Sequence, residues 1–223
     1  VSTEPLAAVL RALHDDIRIV PNYLERSVWT VRASARRAGG RPRVGWAGAQ
    51  QHEGDLELLH EVVRATSREV DWVFLGMCPE AIRAQGVEFH PGVPFDRYPE
   101  KLASLALDLA LAPLEHNRFN ECKSNLRILE YGALGWPVLA SDIEPYRGAP
   151  VTRLPNNPRA WINAIRERVH DLDAAARDGE RLRQWVHAHW MLEDHLQEWL
   201  DALTPASAAR DEAAAPARRV VGQ

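Results

Sequence analysis

Two short segments concentrate the residue types that hold a charged, hydroxyl-rich ligand. The sharper one is Asn120-Glu-Cys-Lys-Ser-Asn-Leu-Arg-Ile-Leu-Glu-Tyr-Gly-Ala-Leu-Gly-Trp-Pro-Val-Leu-Ala-Ser-Asp142. Its apolar spacing predicts a helix over 124–134, with Ser124 or Asn125 as the cap. Such a helix leaves free N–H groups and the positive end of its dipole facing what precedes it. Lys123 stands at that end, where charge and amides together would hold a diphosphate. Glu130 lies two turns in, amid Leu126, Leu129 and Leu134. A carboxylate there can accept both hydroxyls of a ribose. It can equally stay solvated and pair with Arg127, worth roughly a few tenths of a kcal/mol. Spacing alone leaves both readings open.

The second segment is Gly45-Trp-Ala-Gly48-Ala-Gln-Gln-His52. A strand feeding a glycine loop and then a helix presents backbone N–H groups to phosphate. The pattern is not Gly-x-Gly-x-x-Gly, because Gly45 falls inside the expected strand. The next strand ends in Leu75-Gly76 rather than an acidic residue, which argues against a nicotinamide dinucleotide. His52 lies in this loop, and His90 ends a strand facing the crevice, a place for a base-edge or sugar contact. For both, a surface or structural histidine is the competing reading. His187, His189 and His195 lack carboxylates at ligand spacing, and Asp171-Leu-Asp173 falls between helices. No metal site is expected.

The elements that must position these residues alternate between strand and helix. Thr3 caps a helix over 4–13, with Pro5 in its first turn. Short apolar strands are expected at 17–20, 43–48, 71–76, 87–90, 107–112, 137–141 and 151–154. Helices are expected after Asp55 as a cap, near 80–84, over 98–104, 124–134 and 158–169, and in one or two pieces from 174 to 203. Trp185, Val186, Leu192, Leu196, Trp199 and Leu203 could form one apolar face there. Short apolar strands each followed by a helix imply a doubly wound (Rossmann-like) α/β domain with a parallel sheet of five or six strands. Ligands of such sheets bind at the carboxyl ends of the strands. Function is therefore expected in the loops after Gly48, Gly76, His90, Pro113 and Ser141.

Composition sets the outer bounds. The 223 residues carry a formal charge of −4, which lacks the basic excess of a nucleic-acid binder. Two cysteines, Cys78 and Cys122, stand far apart, which excludes a disulfide or zinc scaffold and suits a reducing, cytoplasmic compartment. Ser104 and Asp108 interrupt the most apolar stretch, so no transmembrane segment is expected. The chain opens at Val1 without methionine, and reads as processed or as a piece of a larger protein. Of 27 basic residues, Lys101 and Lys123 are the two lysines, so a chemical role for lysine has few candidates.

The sharper segment resembles the C-terminal, donor-binding half of GT-B glycosyltransferases, in particular family 4 (glycosyl transferases group 1). That group carries a Glu, seven residues, a second Glu, a small-residue stretch and Gly-x-Pro-Val-x-Ala-Ser. Here stand Glu130, Tyr131-Gly-Ala-Leu-Gly135 and Pro137-Val-Leu-Ala-Ser141. Leu107-Asp-Leu-Ala-Leu-Ala-Pro113, Val87-Glu-Phe-His-Pro-Gly92 and Val44-Gly-Trp-Ala-Gly48 resemble the strands before it, in order, so the likeness covers 43–203. Val20-Pro-Asn22 resembles the close of the N-terminal half.

The resemblance divides the chain into a remnant of that half (1–24), a linker (25–42), the donor domain with its helical C-terminal segment (43–203) and a disordered tail (204–223). It implies a nucleotide-diphosphate sugar as donor and Lys123 in the catalytic role. Gly48, Ala49, His90, Cys122, Ser124, Asn125, Arg127 and Glu130 would bind the donor, Glu130 through the ribose. The implied reaction moves a hexosyl or related group to an acceptor hydroxyl, with retention and with neither metal nor cofactor. The acceptor is a glycan, a lipid-linked saccharide or a small molecule. Any membrane-surface contact would come from the other half. Two departures stand out. Cys122 occupies the place of the first motif Glu, although Asn120-Glu-Cys-Lys-Ser124 is similar to a variant of the group. The loop from Ala49 to His60 also lacks the usual Arg and Lys, leaving Lys123, Arg127 and Arg118 as substitutes. The rival readings are a non-catalytic GT-B-like domain used for protein contacts and a sugar-nucleotide epimerase of the same fold.

Overall fold

The computed structural model describes residues 1–30, 39–49 and 52–204. Helix α1 (Glu4–Leu10) is followed by β1 (Arg43–Gly48), α2 (Glu53–Leu56), α3 (Leu59–Thr66) and β2 (Asp71–Gly76). Next come α4 (Glu80–Arg83), β3 (Glu88–Pro91), α5 (Tyr98–Ser104), β4 (Leu109–Ala112), α6 (Arg118–Glu121) and α7 (Leu126–Ala133). The described chain closes with β5 (Val138–Ser141), β6 (Thr152–Leu154), α8 (Pro158–His170), α9 (Leu172–His189) and α10 (Leu196–Leu203).

The six strands form one sheet in the order β3-β2-β1-β4-β5-β6, and every pairing is parallel. This is the doubly wound order expected of a Rossmann-like domain. The chain reverses direction across the sheet between β1 and β4, so their carboxyl ends open a crevice.

Side-chain alternation divides the core. Val44, Trp46, Trp72, Phe74, Leu109 and Leu111 face α3, α4 and α8. Ala47, Val73, Leu75, Ala110, Ala112 and Ala140 face α5, α7 and α9. The period of two sends large residues to one face and mostly small ones to the other. Small residues let α7 and α9 pack closely. A Cβ added to Gly179 would stand 2.1 Å from the Gly135 carbonyl oxygen.

Several expectations are corrected. Residues 17–20 form no strand. Val20 N–H bonds to the Val1 carbonyl, and without a neighbouring strand β propensity has nothing to pair with. The helix over 124–134 begins later, at Leu126, because Lys123 N–H closes a turn on Asn120. Asn125 is its cap residue by position, yet no cap side chain accepts a bond. Asp55 lies within α2 and is buried rather than capping a helix. The loop before α7 contains α6, whose cap is Asn117. The apolar face expected across 185–203 is broken because the chain turns between α9 and α10. Val186 is buried while Leu196, Trp199 and Leu203 are exposed.

Residues 25–30 are not extended, and Trp29 is buried in the α7 side of the core. The rest of the expected linker, 31–38, lies outside the described residues, as does the expected tail beyond Thr204. Residues 1–24 rest on the domain. Thr3 Oγ1 donates to the Cys122 carbonyl at 2.8 Å, and Asn22 Nδ2 donates to Ser124 Oγ at 2.8 Å.

Candidate functional site

A cavity of about 480 Å³ opens at the carboxyl ends of β1, β2 and β3 and against the first turns of α7. That volume lies in the range of small-ligand sites. Three walls differ in chemistry.

The β1 wall is made by Ala47, Gly48, Ala49 and His52. Gln50 and Gln51 lie outside the described residues. Ala47 N–H donates to Tyr131 Oη at 2.9 Å, so α7 braces the strand end. Gly48 has no room for a side chain: a Cβ would stand 2.4 Å from the Trp46 ring and 2.8 Å from Arg127 Nη1. Gly76 has φ +90, and its Cβ would stand 2.3 Å from the Gly48 carbonyl oxygen. Both glycines are needed for the backbones and Arg127 to meet here.

The α7 wall carries the charges. Lys123, Ser124, Leu126, Arg127 and Glu130 all line the cavity. Arg127 lies over the Trp46 ring, 4.9 Å from its centroid, and its Nη2 donates to His52 Nε2 at 3.1 Å. Asp55, buried beneath, accepts from Glu115 N–H at 2.8 Å and Asn120 Nδ2 at 2.7 Å. Its other oxygen meets His52 Nδ1 at 2.6 Å and Lys123 Nζ at 3.4 Å. Burial raises the Asp55 carboxyl, but bonds from His52 and Glu115 N–H and the Lys123 charge outweigh it and hold the group ionised, below its ordinary value. For His52 the Asp55 bond raises the imidazole, while burial and the Arg127 and Lys123 charges lower it by more. The balance favours the neutral imidazole.

Glu130 stands deeper on the same wall and accepts from Tyr98 Oη at 3.1 Å. Burial pushes its carboxyl up to about 7, against the lowering pull of Arg127 and the Tyr98 hydroxyl. It is not the freely solvated glutamate that helix spacing also allowed. The third wall, Leu75, Gly76, Gly92, Val93 and Phe95, is apolar, and Phe95 is exposed.

The structure thus gathers Gly48, Ala49, Lys123, Ser124, Arg127 and Glu130 on one cavity. Other expected residues stand outside its lining. His90 is turned onto Glu88 at 2.7 Å and Lys101 at 3.0 Å. Cys122 C-caps α6 and presents its carbonyl to Thr3. Asn125 accepts through its backbone carbonyl from Leu129 N–H within α7. Ser141 is buried: its Oγ accepts from Leu114 N–H at 2.9 Å and donates to Asn156 at 2.6 Å, which holds the turn after β4. Sequence reasoning did not place Tyr98, Tyr146 or Asp55 at the site. Asp55 had a legible signal, three residues from His52 in the phosphate-type loop. The tyrosines had none, since Tyr98 arrives from the start of α5 and Tyr146 from the segment after β5. Among the described residues no group of three or more His, Cys, Asp or Glu is arranged to hold a metal ion. No described helix is long and apolar enough to cross a membrane.

No protein-family model and no curated protein sequence matches the chain. Solved structures do. Sucrose-phosphate synthase from Thermosynechococcus elongatus aligns over 96% of this chain and 58% of its own, with TM-score 0.68 and 18% identity. Anabaena HepE in complex with UDP and glucose aligns over 83% and 56%, with TM-score 0.64 and 14% identity. The C-terminal domain of LpcC, a glycosyl transferase group 1 family protein from Francisella tularensis, aligns over 76% of this chain and 99% of that one, with TM-score 0.56 and 12% identity. The chain spans just over half the length of the first two structures. At these identities the likeness establishes the fold.

Proposed function

From the premise that the chain carries the fold of a GT-B glycosyltransferase domain, we propose that it binds a nucleotide-diphosphate sugar and supplies the donor half of a glycosyl transfer. The observation that carries this reading is the convergence of Lys123, Arg127 and Glu130 on one cavity beside the Gly48 loop. Glu130 accepts the ribose hydroxyls, a role suited to a carboxylate held on a partly apolar wall with a single hydroxyl donor beside it. Lys123, Arg127, Ser124 and the loop amides hold the diphosphate.

In the transfer step the bond from the anomeric carbon to the phosphate oxygen breaks and the diphosphate leaves with its electron pair. Lys123 and Arg127 stabilise that growing negative charge, the work that preorganised cations perform in a water-poor site. No metal is needed in this scheme. The group transferred is a hexosyl or related sugar, delivered with retention to a hydroxyl of a glycan, lipid-linked saccharide or small molecule. Cys78 and Cys122 are free thiols, which fits a reducing, cytoplasmic setting.

Calorimetric titration with UDP, GDP, ADP and CDP, repeated on Glu130→Ala, tests the reading. One nucleotide should saturate, and the variant should lose about 1–3 kcal/mol of binding. Absence of binding by every nucleotide at millimolar concentration would favour a domain that keeps the fold for protein contacts. Nucleotide binding unchanged by Glu130→Ala would remove the ribose role.

A further inference from the structure

The β1 loop lacks the cations a diphosphate calls for: from Ala49 to His60 there is no Arg or Lys. What stands there instead is an anchored imidazole. His52 lines the cavity and is mostly buried, its side chain 18% exposed. Arg127 can only donate, so His52 Nε2 at 3.1 Å presents its lone pair and the ring proton sits on Nδ1, bonded to Asp55. The tautomer follows from these neighbours. Asp55 is itself held by Glu115 N–H and Asn120 Nδ2, which fixes the carboxylate that His52 Nδ1 meets.

We propose that His52, positioned by Asp55, is an anion ligand of this cavity that takes up a proton at Nε2 and donates it to the diphosphate as Arg127 transfers its own N–H groups to the phosphate. This rests on the reading of the cavity as a nucleotide-diphosphate site. The physical reason lies in what faces the ring. Asp55 is on its own segment, Lys123 and Arg127 are on the α7 side, and Trp46 packs edge-on at 5.9 Å. The Glu115 carboxylate lies by Gly54, and Tyr146 closes the cavity. Against the Asp55 bond, burial and these two cations together disfavour a charged ring. A diphosphate neutralises both and adds an acceptor, so the protonated ring becomes the favoured form. Diphosphate binding must then consume a proton and strengthen as pH falls from 8 toward 6.

The test compares a nucleoside with its diphosphate by calorimetry in two buffers of different ionisation enthalpy. The probes are the base that binds best and its diphosphate, titrated at pH 8, where the free diphosphate is ionised. The nucleoside shares the Glu130 contact but not the phosphate contact, so the difference between the two isolates the phosphate end. In the wild-type chain the diphosphate should take up a proton relative to the nucleoside. His52→Gln should weaken the diphosphate about tenfold, abolish the extra proton uptake and leave nucleoside binding unchanged, which also reports that the cavity is folded. Asp55→Asn keeps an oxygen for Glu115 and Asn120 but removes the negative charge beside Nδ1. The protonated ring then loses its stabilising carboxylate, and uptake should fall with nucleoside binding intact. Diphosphate affinity and uptake unchanged in His52→Gln would overturn the inference while leaving the proposed function standing. Failure of the wild-type chain to bind either probe would remove both.

Discussion

Glu130 is the residue whose environment changed most between sequence and structure. Helix spacing allowed an exposed carboxylate paired with Arg127. Folding half-buries it beside Tyr98, and the lost solvation raises its carboxyl from 4.5 to about 7. Between those values the folded chain binds more protons at this position than the unfolded chain. Its contribution to stability is therefore lost as pH rises through that window, and the full penalty stands above 7. Glu130→Gln keeps an oxygen for the Tyr98 hydroxyl and removes the penalty. The variant should melt higher than wild type at pH 8 and equally at pH 4; an equal offset at both pH values would mean that burial of the charge is not the cause. Lys123, Ser124, Arg127 and Gly48 were legible because each belongs to a local pattern, a helix start or a glycine turn. Cys122 and His90, expected at the donor, stand outside the cavity lining for a local reason too. Both have the right place along the chain, but one gives its carbonyl to Thr3 and the other is bonded to Glu88 and Lys101.

At the scale of elements, α7 is the piece on which the site depends. It carries Arg127 and Glu130 on one side and rests on α9 on the other, through Gly132 against Leu182 and Val186. Gly179 of α9 meets the Gly135–Pro137 turn so closely that Gly179→Ala must push the helices apart. Urea denaturation should show a loss of about 1–3 kcal/mol, the usual cost of overpacking. Nucleotide affinity should fall with it, since a shifted α7 moves Glu130 away from Tyr98. A variant as stable as wild type would show that α9 adjusts without displacing α7. Strand positions were legible in the sequence because runs of apolar residues such as Trp72-Val-Phe-Leu75 are buried on both faces. The strand expected at 17–20 has the same local appearance and fails for want of a neighbour. The late start of α7 was not legible either, because the turn at Lys123 depends on Asn120, itself held by Asp55.

At the scale of the molecule, one cavity at the carboxyl ends of β1, β2 and β3 gathers the charged residues that precede and begin α7. The chain matches 99% of an isolated C-terminal glycosyltransferase domain but 58% and 56% of longer structures. On the proposed function, these 223 residues should bind nucleotide and transfer little sugar by themselves. Incubation with labelled nucleotide-sugar and candidate acceptor hydroxyls checks this, and measurable glycosyl transfer by the chain alone would refute it. The sequence by itself determined the alternation of strand and helix, hence the parallel sheet and the edge where the cavity opens. It also determined the glycine loop after β1 and the helix carrying Arg127 and Glu130, because these are local patterns of spacing and turn chemistry. Only the tertiary structure decided that His52 and Asp55 meet Lys123 and Arg127, 68 to 75 residues along the chain. The physical reason is the strand order: placing β4 beside β1 brings the two loops onto one edge, and packing against Trp46 then selects which side chains touch.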